Sequence, residues 1–309
     1  MNKIHIHKIN MLRILSPVVL ISILIFQNLY FTGCLSVGDG QGKYFMIGNE
    51  DEVVESIREG LTAHSKKLTI TCEAEHYTLE DVNATVKVWV SKALESTDNP
   101  VQGDYIRYQY GGYTIDSEYI RCSDDEDIYS YTITITPTYY TYVWEEEEVT
   151  TLSNALLESF GFDDDTTDYE KCVRIYDYIC DNVSYDKVHA KNEYNHTRST
   201  AYYALKYHSA TCQGYAALLY RLLKMCGIDC RVVGGTAGIG GAEEGHVWNI
   251  ICLDGKYYYA DSTWDSYNNN RDCFLKSPAD FPNHSLAEEY DNADFYDKYT
   301  ISESSYINP

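Results

Sequence analysis

At 309 residues the chain exceeds one average domain, and two modest cores fit that length better than one. Its 24 Lys and Arg against 47 Asp and Glu leave a formal net charge of -23. That balance argues against nucleic acid or an anionic membrane surface as main partner, since both repel it; basic partners remain open, and the acidity itself reads as a solubility feature of an exported protein.

Lys3, Lys8 and Arg13 precede an apolar run over 14–26. A basic flank, a short apolar core and small residues ahead of a cleavage site mark residues 1–33 as a signal peptide. Phe31-Thr32-Gly33-Cys34 resembles a bacterial lipobox, with Phe31 where leucine is usual, which makes Cys34 the expected lipidated residue. An uncleaved signal anchor and plain secretion are the alternatives, and all three place the globular part outside the cytoplasm. Residues 34–50, glycine-rich and polar, read as a tether.

A helix is expected over 52–63. The stretches 67–73, 82–90, 105–110 and 129–144 are rich in Thr, Ile, Val and Tyr and read as antiparallel strands, with turns at ESTDNP and CSDDED. Pro137 points to an edge strand or a bend. Residues 51–147 are therefore expected as a small β-rich domain, whose many tyrosines read as half-buried sheet aromatics.

Residues 148–280 change character. Helices are expected over 152–160, after the acidic stretch 163–168, and over 199–207. In YEKCVRIYDYICDNV the residues Val173, Tyr176, Ile179 and Cys180 recur at helical spacing. Next, Cys212 opens an apolar helix to Met225, with Ser209 or Thr211 as cap and Gly227 as the left-handed residue past its end. A cysteine at a helix N-terminus meets the positive end of the dipole and unpaired amides, and both favour the thiolate.

A strand at CRVVGGTA, a glycine-rich loop and a hairpin around Asp254-Gly255 follow. If Leu253 pairs with Lys256, His246 falls opposite Thr263 and Asp261 opposite Trp248. His246 and Asp261 then share a face as diagonal neighbours, roughly 7 Å apart at the backbone. A loop one residue longer would separate them onto opposite faces.

These segments resemble the transglutaminase-like superfamily: TCQGYA at the nucleophile, GHVWNI at the histidine and YYYADSTWD at the aspartate, with YDYICDNVSYD and STAYYAL also similar to family segments. The resemblance spans about residues 169–275. It implies an α+β, papain-like domain with a nucleophile helix packed on an antiparallel sheet, and a Cys212, His246, Asp261 triad. It also implies a protein or peptide amide as substrate, transferred through a thioester. The Cys212 backbone amide is the natural first oxyanion donor, and no second is nameable. A binding or scaffold protein that keeps the fold with little turnover is the rival reading.

No cofactor is expected, and neither zinc ligand spacing nor a calcium loop is present to predict a metal site. Eight further cysteines (72, 122, 172, 180, 226, 230, 252 and 273) would suffice for four disulfides in an exported protein, although Cys226 and Cys252 sit in apolar runs. His189, His196, His208 and His284 read as solvated loop residues, and Trp248 and Trp264 as core or cleft walls. Residues 281–309 read as a C-terminal wrap or tail.

Overall fold

The computed structural model describes residues 12–14, 35–38, 44–47, 50–122, 127–191, 196–239, 242–281 and 283–308. Cys34, the expected lipidation site, and most of the expected signal segment lie outside the described residues. Among those described, no helix is long and apolar enough to cross a membrane. Two compact units emerge, residues 1–95 with 110–139, and residues 96–109 with 140–309.

The first unit contains β1 (Leu12–Ile14), β2 (Leu35–Gly38), β3 (Tyr44–Ile47), α1 (Glu50–Thr62), β4 (Leu68–Glu75), α2 (Leu79–Ala93), β5 (Tyr110–Arg121) and β6 (Ile128–Tyr139). The strands form one antiparallel sheet in the order β1-β5-β6-β4-β2-β3. Where a tether is expected, β2 and β3 pair onto this sheet. Alternation buries Leu68, Ile70, Cys72 and Ala74 of β4, while α1 contributes Val53, Ile57 and Leu61.

The expected strand over 82–90 is instead the middle of α2. Its valines favour a strand by composition, but Val82, Val86, Trp89, Val90 and Ala93 bury at helical spacing, and Thr78 caps the Asp81 amide at 3.2 Å. Period outweighs β-branching here, so the unit is less β-rich than its composition suggests. Pro137 sits in β6, between β5 and β4 in the sheet order, but β4 pairs only as far as Ile135. Beyond that point β6 is locally an edge, which spares the missing N–H.

The second unit takes the expected strand over 105–110 as a short helix, α3 (Asp104–Arg107). It continues with α4 (Val143–Phe160), α5 (Asp168–Asn182), β7 (Ser184–Tyr185), α6 (Ala201–Tyr207), β8 (Ser209–Ala210), α7 (Cys212–Met225), β9 (Cys230–Ile239), β10 (Ala242–Leu253), β11 (Lys256–Ala260), α8 (Ser262–Asn268), β12 (His284–Leu286) and α9 (Ala293–Lys298). Residues 96–109 and 140–147 thus belong with this unit rather than with the strands before them. The expected C-terminal wrap also supplies an edge strand, since the sheet order is β11-β10-β9-β12.

Helix α7 is the centre of the core. Tyr215, Ala217, Leu218, Leu219, Leu222 and Leu223 are wholly buried, and each large aliphatic contributes ~1.5–3 kcal/mol relative to exposure. Its end is as expected: Gly227 adopts φ +78°, and Ile228 N–H donates back to Leu223 O at 3.0 Å. At its start Gly214 admits a close crossing, since a Cβ there would lie 2.8 Å from the Ala210 Cβ and 2.9 Å from Arg198 O.

A capping box begins α5: Thr167 N–H donates to Glu170 Oε2 at 2.8 Å, and Glu170 N–H donates to Thr167 Oγ1 at 3.2 Å. Thr167→Ala is expected to cost about 1 kcal/mol in urea unfolding, with Thr167→Ser close to wild type.

All nine described cysteines are free. The four-disulfide reading fails among them because Cys72, Cys172, Cys180 and Cys230 serve as small apolar core residues. Burial pushes the Cys72 thiol up to about 12.

Candidate active site

The hairpin register is the one its turn dictates. Asp254 and Gly255 both lie at positive φ, 53° and 75°, and Leu253 pairs with Lys256. The ladder ends at Asn249 opposite Ala260, one step before Asp261. Asp261 therefore does not face Trp248 within a strand but caps α8. Its Oδ1 accepts from the Thr263 and Trp264 amides at 2.9 and 3.1 Å. Oδ2 remains to face His246, whose Nε2 lies 2.8 Å away. The cap and the contact with histidine coexist because the carboxylate has two oxygens.

With Nε2 committed to Asp261, the other ring nitrogen of His246 is the one left for Cys212, with which the imidazole interacts. Cys212 is the first residue of α7 and half-buried. Burial alone would raise its thiol, but the hydrogen bond and charge of His246 and the Val247 amide outweigh that and hold it below the ordinary value. Burial likewise disfavours the His246 imidazolium, yet Asp261, and then Cys212, raise the group to about 10. Asp261 is 1% exposed, and despite that burial the two histidines against it keep it well below the usual carboxylate range. The structure thus brings together all three residues singled out from sequence.

His284 does not sit in a solvated loop. It lies on β12 with its side chain 2% exposed, and its Nε2 is 3.1 Å from the same Asp261 oxygen. Its surroundings, Phe-Pro-Asn-His-Ser, carry no strand signal, and its pairing with β9 joins residues far apart in sequence. The donor atoms of His246, Asp261 and His284 fall within 4.8 Å of one another. Hydrogen bonding to a single carboxylate oxygen accounts for that closeness without a cation. Elsewhere, His189 Nδ1 pairs with Asp186 at 2.8 Å, His196 stacks on Tyr140, and His208 is the left-handed cap of α6.

Beside His246 opens a cavity of about 640 Å³, walled in part by Tyr185, Lys187, Trp264 and Tyr267. Its volume falls within the ~300–1,000 Å³ of small-ligand sites. Trp264 is thus a cleft wall, whereas Trp248, 1% exposed, belongs to the core. Gln213, next to the nucleophile, donates its side-chain N–H to Tyr108 O, which ties the segment before β5 to the start of α7.

The Transglutaminase-like superfamily model matches residues 157–262, and the α+β architecture of this unit is that of the transglutaminase-like fold. The kyphoscoliosis peptidases of Homo sapiens and Mus musculus are each 32% identical over 108 residues, which is 32% of this chain and 16% of theirs. The chain thus matches about one sixth of those relatives. A solved transglutaminase is 20% identical with a TM-score of 0.33, covering 44% of this chain and 41% of its own. A Cytophaga hutchinsonii structure assigned as a cysteine protease is 19% identical with a TM-score of 0.32, covering 52% and 62%.

Proposed function

With residues 157–262 matching the transglutaminase-like superfamily, we propose that the chain is a thiol enzyme that acts on protein or peptide amides through a Cys212 thioester. The observation that carries this reading is Asp261 hydrogen-bonded to His246, with Cys212 at the start of α7 interacting with the same histidine.

The Cys212 thiolate attacks the amide carbon, and the carbonyl oxygen takes up the negative charge. The Cys212 backbone N–H, at the start of α7, receives that oxyanion in this reading. His246 gives its proton to the nitrogen, the C–N bond breaks, and ammonia or an amine leaves a thioester. Asp261 keeps the imidazolium oriented throughout. An amine acceptor then yields a new amide, and water yields the acid. The kyphoscoliosis peptidases, by name, favour water among these acceptors. For the cell address we propose export with a lipid anchor at Cys34, on the strength of the basic, apolar and lipobox-like order of residues 1–34; that processing would remove the edge strand β1 and leave the other five strands of the sheet.

Incubation with a glutamine-containing protein and a fluorescent primary amine, alongside peptide-bond cleavage assays, tests the reading. Product formation is expected in one of these, with an acyl adduct at Cys212 detected by mass mapping, and all of it lost in Cys212→Ala with unchanged circular dichroism. Equal product with and without Cys212 would refute the enzyme. Retention of the same substrate without turnover would favour a binding protein.

A further inference from the structure

The ladder pairs His246 with Gly235 on one side of β9 and His284 with Ala237 on the other. Gly235 and Ala237 are two residues apart on one strand, so both histidines project from the same face. A Cβ at position 235 would fall 1.9 Å from Ser285 O, so a glycine there lets β12 close onto β9. Aromatic rings hold His284 in place: Phe281 at 4.1 Å, Trp264 at 4.5 Å and Trp248 at 5.0 Å between centroids. An ionised carboxylate only accepts, so each histidine must donate an Nε2–H to Asp261 Oδ2. With the two cap amides on Oδ1, Asp261 then receives four donors.

We propose that His284 is a positioning residue for the triad, whose Nε2–H shares the Asp261 oxygen with His246 and draws off part of its charge. Sharing matters because His246 must both keep a proton beside the thiolate and surrender it to a leaving amine. A carboxylate with His246 as its only side-chain donor would hold that proton harder. Other titratable groups lie near this pair: Cys212 and Tyr215 from α7, Tyr176 from α5, Asp265 from α8, Tyr185 from β7, Glu244 from β10, and Cys273. None of them donates to Oδ2. The inference rests on the triad reading, and its test reads the hydrogen bond without using activity.

Nuclear magnetic resonance of the full chain with ¹⁵N-labelled histidine supplies that test. In the wild type at neutral pH, His284 Nε2 is expected to carry a proton. A bare Nε2 would overturn the proposal with no variant needed. In a Cys212→Ala background, which removes the coupled thiol, His284→Phe fills the ring cage but lacks the donor. It should raise the His246 midpoint by about one pH unit. His284→Gln, which can offer an N–H at similar reach, should bring it back to within about 0.3. A midpoint that Phe leaves in place or lowers, or that Gln moves as far as Phe, overturns the proposal. Failure of Cys212 to react as a thiolate would instead sink the triad reading and leave these resonances interpretable on their own.

Discussion

Iodoacetamide is expected to alkylate Cys212 on the order of 10²-fold faster at pH 6 in the wild type than in His246→Ala. A thiol with the ordinary value near 8.5 is only ~0.3% thiolate at that pH. An ion pair with His246 raises the thiolate fraction above that, and full ionisation sets the ceiling of the advantage at ~300-fold. Low-pKa thiolates are poorer nucleophiles, which takes back several-fold. His246→Ala removes the strongest influence that lowers the thiol and leaves the burial that raises it. Below about pH 8 the variant's rate should therefore fall nearly tenfold per pH unit, while the wild-type rate stays nearly level. Exposed Cys122 in the same digest serves as an internal reference, because its rate should not respond to the mutation. Matching Cys212 rates in the two proteins at pH 6 would leave no ion pair and no thiol catalyst.

Local chemistry made the centre of this site legible. Asp254-Gly255 dictates a two-residue turn, the turn dictates the register, and parity then brings Asp261 to the His246 side of the hairpin. Gly227 marks the end of α7 for an equally local reason. The exact route of Asp261 was less visible, because leaving the ladder to cap α8 depends on the amides of Thr263 and Trp264. His284 was not legible at all. A three-residue strand has no period to detect, and only the paired glycines at 234 and 235 hint that another backbone approaches β9. In the first unit composition misleads: α2 has valines enough to look like a strand, but its burial follows the helical period.

The segment before β5 resembles a strand for a related reason, and its anchor gives the larger stability effect. Asp104 is wholly buried. Its Oδ2 accepts from Arg231 Nε at 2.5 Å and from the Val232 amide at 2.9 Å, while Oδ1 accepts from Arg231 Nη2 at 3.1 Å. Arg231 is itself 7% exposed and lies over the Tyr299 ring at 4.4 Å. A strand over 105–110 would carry this carboxylate away from β9, so the ion pair favours the short helix α3. Asp104→Ala leaves the guanidinium charged and buried without its partner, at an expected cost of about 3–5 kcal/mol. At ~2–4 °C per kcal/mol for a unit of this size, the melting temperature should drop by about 10 °C. Asp104→Leu combined with Arg231→Met should recover much of that loss, because apolar replacements of a buried pair are often neutral or better. A drop of only a degree or two in Asp104→Ala would mean that water reaches Arg231 and that the pair does little for stability. The consequence extends to the site, since the same segment offers Tyr108 O to Gln213 beside the nucleophile. Asp104→Ala should therefore also slow Cys212 alkylation at temperatures where the variant is still folded, whereas the Leu and Met pair should restore both properties together.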